Sequence, residues 1–355
     1  MPAQRERIPE LDLLRFIAAS FVVIYHFTYR PRMDISAPPS TVAFGALQDL
    51  SRYGYLGVPL FFLISGFVIL MSAEGRTAGQ FARSRFLRLY PMFWVGVVVT
   101  LSVLLVTGKA GSLLSLQTIL ANLTLVPGYF HAPFVDGVYW TLAIELKFYL
   151  LILLAILLRQ FHNVEWWLRV WLVGLLAASF AEDMPLLKSI VLFPHGLFFL
   201  GGATCYLIRA RGFSITRGLI LLATVVASIK AAIPDRLSFT TEPLIASSLS
   251  VSVIVFAFYF ALLLVSLKSI SLSGSKLLYW LGLLTYPLYL LHNEIGKVVF
   301  GAMNDLPQWP RLAITCFLVY LAAYACAKYI EPQFRSGVAA ALGSVSRLII
   351  GRTAS

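Results

Sequence analysis

What most constrains this chain is a near-continuous succession of apolar runs, each close to twenty residues long and bounded by charges or prolines. Ten can be read: Leu11–Tyr29, Tyr53–Ser72, Arg88–Thr107, Tyr139–Arg159, Trp166–Phe180, Ile190–Ile208, Gly218–Ala232, Leu244–Leu267, Leu277–Val298 and Leu312–Tyr329. A helix of about 20 apolar residues spans the hydrocarbon core of a bilayer. Only 12% of the 355 residues are charged, 59% are hydrophobic and the mean hydropathy is +0.84. Soluble domains sit nearer a quarter charged. The expected fold is therefore all-α: a polytopic membrane protein with about ten transmembrane helices.

The stretch Leu113–Val126 is apolar but short, and reads as an interfacial or re-entrant segment rather than a further span. Basic residues accumulate on one side of the runs. Arg83, Arg85, Arg88, Arg159, Arg209, Arg211, Arg217, Lys268 and Lys276 share it, whereas Asp136, Asp183 and Asp305 fall on the other. The bias of Lys and Arg toward cytoplasmic loops puts both termini in the cytoplasm. The first run is too long for a cleaved signal peptide and reads as a retained anchor. No linker or repeat divides the chain, so residues 1–333 form one transmembrane domain and 334–355 a short basic tail lying on the inner leaflet.

The net charge of +12 follows from those basic loops. No basic patch with interleaved aromatics accompanies it, which sets nucleic acid aside. Cys205, Cys316 and Cys326 all lie in apolar runs, without a disulfide framework or a metal-type Cys/His spacing. No metal site is expected.

Ionisable residues at membrane depth are costly and mark function by default. Arg15 and His26 are eleven residues apart, three helical turns plus about 20°, so they share one face with about 16 Å between them. Asp12 stands one turn before Arg15 and can pair with it. Residue counting puts His26, Glu145, His195 and His292 at one height in the outer half of the bilayer. A His with a carboxylate beside it suits removal of a proton from a hydroxyl. A proton relay in a transporter would use the same residues, and a bundle histidine with a snorkelling arginine remains the structural alternative. Arg85 and Arg88 crowd the start of the third run, one turn apart. Arginine forks suit phosphate oxygens, although a plain topogenic loop would look the same. In the second run Gly57 and Gly66 allow close helix packing, and Ser65 reads as interhelical glue.

Five motifs in order resemble the acyltransferase 3 family of membrane acyltransferases. They are Leu11-Asp12-x-Leu14-Arg15 with Val22-Val23-x-x-His26; Gly57-Val58 through Phe61-Phe62 to Ser65-Gly66-Phe67; Arg85-x-x-Arg88 with Pro91; Trp140-Thr141-Leu142-x-x-Glu145-x-x-Phe148-Tyr149; and Tyr286-Pro287-Leu288-Tyr289-Leu290-Leu291-His292. Glu331-Pro332 also fits. The chain departs from the family in carrying Thr141 where Ser is common, and in lacking a proline soon after Phe148-Tyr149.

The resemblance implies transfer of an acyl group, usually acetyl, from cytoplasmic acyl-CoA to a hydroxyl of a glycan or lipid-linked sugar at or near the outer face. Acyl-CoA is then a co-substrate, with no bound cofactor. Arg15, Arg85 and Arg88 would hold the CoA phosphates, and His26, Glu145 and His292 would carry the chemistry, His26 as general base. Trp140 and Tyr149 would meet the acceptor. The expected setting is a bacterial cytoplasmic membrane, beside glycan biosynthesis machinery. The competing class, an exporter of a sugar-lipid, lacks support from repeat symmetry or paired broken helices.

Overall fold

A computed structural model describes residues 7–29, 44–181, 183–233 and 244–352, with side chains outside the description at 244–247 and from 344 on. The last residues of the expected basic tail therefore lie outside it. Every regular element among the described residues is helical. Besides short 3-10 and π turns, the α-helices in chain order are α1 (Pro9–Thr28), α2 (Ala46–Ser51), α3 (Gly57–Ala73), α4 (Ala78–Val106), α5 (Leu116–Leu123), α6 (Trp140–Leu157), α7 (Val164–Phe180), α8 (Pro185–Ile190), α9 (Gly196–Arg211), α10 (Ile215–Ala232), α11 (Leu244–Ser266), α12 (Lys276–Leu291), α13 (Asn293–Gly301), α14 (Gln308–Ala325) and α15 (Glu331–Arg352).

Among the described residues seven segments are long and apolar enough to cross a membrane: Pro9–Thr28, Ala46–Ala73, Ala78–Val106, Gly137–Leu157, Ile215–Ala232, Ser248–Ser266 and Gln308–Gly343. They coincide with seven of the ten apolar runs. The other three runs form α7, α9 and α12, of 17, 16 and 16 residues. The run Leu277–Val298 is broken at His292, where α12 ends and α13 begins. At 1.5 Å per residue the eight-residue α5 is about 12 Å long and cannot cross. The helix α15 starts before residue 334 and continues through it.

The chain forms two compact units. One comprises Met1–Ala78 and Ile144–Gly282, the other Gly79–Ala143 and Leu283–Ser355.

In the first unit α3 is the hub. It is apolar on every face, as a helix surrounded by protein must be, and Leu63, Ile64, Phe67 and Leu70 are fully buried. It packs against α1 and α9. Gly66 and Gly202 make the second contact possible. A Cβ on Gly66 would collide with the Phe199 carbonyl, and one on Gly202 with the Leu63 carbonyl. Small residues let helix backbones approach this closely where no water drives association. The α1 contact is antiparallel: Gly54 lies on Phe21 and Tyr25, and Gly57 on Ala18 and Val22.

In the second unit α4 is the long strut, 29 residues with Pro91 inside. Its far end closes with two capping bonds, Lys109 N–H to the Leu104 carbonyl and Gly108 N–H to the Leu105 carbonyl, with Gly108 at φ 71°. Glycine is the residue that takes this left-handed position without strain.

Candidate active site

In the first unit α6 sets Glu145 and Tyr149 one turn apart on one face. The Tyr149 hydroxyl donates to Glu145 Oε1 at 2.8 Å, and Ser65 Oγ of α3 donates to the same oxygen at 3.1 Å. Tyr149 is buried, so its hydroxyl serves the protein interior. His195 precedes α9, its ring centroid 5.1 Å from that of Phe62. Glu145 and His195 thus meet α3 within one turn of each other, at Ser65 and Phe62.

His26 occupies the last turn of α1, half-buried, its ring 5.4 Å from that of Tyr25. The antiparallel α1–α3 contact puts it near the Gly54 end of that pair. Ser65 lies eight residues beyond Gly57, about 12 Å farther along the axis. The Glu145 hydrogen bonds go to Ser65 and Tyr149, not to His26. At the other end of α1, Asp12 is buried between two cations, with Arg7 Nε against Oδ2 and Arg15 Nη1 3.7 Å from Oδ1. Gly282 of α12 leaves the space that the Asp12 carboxylate fills.

In the second unit Arg85 and Arg88 stand in the first turns of α4. Arg85 donates to Ser84 Oγ at 3.3 Å. The Arg88 guanidinium lies 5.4 Å from the centroid of the Tyr286 ring, and Tyr286 is held in turn by its hydroxyl bond to the Leu89 carbonyl at 2.8 Å. Arg88 is half-buried and has no ion pair or hydrogen-bond partner among the described residues. Five N–H donors in a fixed fork, partly withdrawn from water, are suited to donate to phosphate oxygens.

His292 is fully buried where α12 gives way to α13. Its Nδ1 lies 2.9 Å from the Tyr289 carbonyl and 3.2 Å from that of Leu288. Carbonyl oxygens only accept, so Nδ1 carries the proton, and in the neutral ring the lone pair is left on Nε2. Trp140 opens α6 and is 39% exposed. The next residue, Thr141, is turned inward, with Oγ1 2.7 Å from the Tyr289 hydroxyl.

One polar group that sequence reasoning passed over is Asp136. It is wholly buried in the loop before α6. Oδ1 accepts from Val138 N–H at 3.0 Å and Asn293 Nδ2 at 2.7 Å, and Oδ2 accepts from Glu294 N–H at 3.0 Å. Burial pushes its carboxyl up to about 6, against the pull of those three donors. Its partners lie far away in sequence, so no local pattern announces the cluster. No group of three metal-ligating side chains occurs among the described residues.

Residues 8–328 match the family model described as an acyltransferase domain, acyltransferase 3. The chain belongs to the acyltransferase 3 family. The chain is 31% identical to acyltransferase MdmB of Streptomyces mycarofaciens over 163 residues, 42% of this chain and 39% of that one. It is 34% identical to nodulation protein 10 of Rhizobium leguminosarum bv. viciae over 113 residues, 26% of this chain and 31% of the relative. The chain thus spans well under two thirds of the length of either relative in these alignments. No solved structure matches it.

Proposed function

We propose that this membrane acyltransferase moves an acyl group, acetyl in the first instance, from cytoplasmic acyl-CoA to a hydroxyl of a glycan or lipid-linked sugar at or near the outer face of a bacterial cytoplasmic membrane. The observation that carries the reading is Arg88: a half-buried guanidinium, steadied by Tyr286, with no anionic partner among the described residues. A diphosphate-bearing donor supplies that partner. Arg85 adds a second fork one turn away, and Arg15, already oriented by Asp12, a third cation.

In this mechanism His26 takes the proton from the acceptor hydroxyl as its oxygen attacks the thioester carbonyl. The thioester C–S bond breaks and CoA leaves as the thiol after taking up a proton. The Nδ1–H tautomer of His292 makes Nε2 the acceptor nitrogen of a second imidazole. Glu145, tied to Ser65 and Tyr149, serves as a fixed carboxylate between α3 and α6 rather than as the orienter of His26. Trp140 offers a ring for sugar stacking. The topology that goes with this is about ten spans, with α7, α9 and the α12–α13 pair joining the seven longer segments, and both termini in the cytoplasm.

A turnover assay with purified enzyme tests the donor assignment. The double change Arg85→Gln, Arg88→Gln raises KM for acetyl-CoA about ten-fold or more, most strongly at low salt, and leaves the acceptor KM in place. In the same assay His26→Ala lowers kcat by about 10²-fold or more. A well-folded arginine variant with an unchanged donor KM sinks the assignment.

A further inference from the structure

The end of α4 remote from Arg85 and Arg88 borders a cleft of about 400 Å³, inside the second unit. Three segments line it: the α4 terminus with Leu104 and Lys109, the loop ahead of α6 with Phe134, and α13 with Glu294 and Lys297. Its size falls in the range of small-ligand sites, roughly 300–1,000 Å³.

The charges do not balance. Glu294 is matched by Lys297 at 2.6 Å. Lys109 has no ion pair or hydrogen bond through its ammonium among the described residues. One positive charge is left over, beside an aromatic wall.

The cleft is also held in shape before any ligand arrives. The two capping bonds at the end of α4 fix the Lys109 backbone. Asp136 ties the loop to the first turn of α13 through Asn293 and the Glu294 N–H. From Arg88 to Val106 is eighteen residues of one helix, about 27 Å, close to the thickness of a hydrocarbon core. If the arginines face the donor side, the cleft faces the opposite side, where the acceptor arrives.

We infer that this cleft binds a sugar unit of the acceptor that carries an anionic group, carboxylate or phosphate, with Lys109 receiving the charge, Lys297 sharing its ammonium between that group and Glu294, and Phe134 flanking the ring. The inference rests on the transferase reading above and narrows its acceptor to an acidic glycan.

The test uses the full-length chain in phosphatidylcholine nanodiscs, with ligand-observed NMR. The probes are glucuronic acid, glucose 1-phosphate and neutral glucose. Both acidic sugars should bind and glucose should not, with affinity falling as salt rises from about 50 to about 500 mM. Lys109→Gln with Lys297→Gln should weaken acidic-sugar binding about ten-fold or more, and Lys109→Arg with Lys297→Arg should keep it. Equal binding of glucose, or glucuronate binding unchanged in the Gln pair, overturns the inference. A second arm adds phosphatidylglycerol. If that lipid is retained by wild type and lost from the Gln pair while neither sugar binds, the site belongs to a headgroup and the inference is wrong. Thermal stabilisation by acetyl-CoA, read in parallel, should be the same in wild type and both variants. Its absence in wild type would sink the donor assignment and leave the sugar data to decide the cleft.

Discussion

Asp136 shows what one buried carboxylate does in this molecule. It joins the loop before α6 to the start of α13 by two accepted hydrogen bonds and accepts a third from Val138 N–H within the loop. Its folded-state pKa of about 6 lies above the unfolded value of 3.8, so the folded form holds the proton more tightly. Stability from this group is fully present below pH 3.8, falls as pH rises toward 6, and is level above that, with a total change of about 3 kcal/mol. Asp136→Asn removes that slope. It also turns an NH₂ toward a backbone N–H, which costs about 1–3 kcal/mol. The variant should therefore melt below wild type, by a wider margin at pH 4.5 than at pH 7.5. A deficit that is the same at both pH values would remove Asp136 as the titrating group. At this scale the sequence shows ionisable residues where apolar runs make them conspicuous, as with Arg15, Glu145 and His292. It does not show hydrogen bonds made across 157 positions, as between Asp136 and Asn293, nor that Tyr149 turns its hydroxyl to Glu145.

Among the helices the decisive contact is that of α3 with α9. Both glycines at the crossing face backbone carbonyls rather than side-chain tips, so no rotamer change makes room for a methyl group. Gly202→Ala should cost about 1–3 kcal/mol, the usual range for overpacking. It should appear as a lowered melting temperature in detergent without loss of the α-helical spectrum. An unchanged melting temperature would mean the two backbones do not meet this closely. Seven of the apolar runs correspond to long apolar helices because their length alone decides the element. The break at His292 was not legible, because the run Leu277–Val298 is evenly apolar up to its interruption and Pro287, its one obvious breaker, lies inside α12. Gly66 was readable as a packing residue. Its partner Phe199 was not, since pairing of distant helices leaves no mark in either segment alone.

For the whole molecule, the chain belongs to the acyltransferase 3 family, and the proposed transfer is judged on the geometry of α4. One helix carries arginines suited to phosphate in its first half and borders a cationic cleft at its far end, about 27 Å from Arg88. Enzymes with donor and acceptor on the same side of the membrane have no need of that separation. The direct measurement is transfer in sealed vesicles of known orientation. Labelled acetyl-CoA is supplied only on the side of Arg85 and Arg88, and acceptor glycan only on the other. The account predicts labelled acceptor on the far side and free CoA on the donor side, both lost with His26→Ala. Transfer that occurs only when donor and acceptor share a compartment would contradict it.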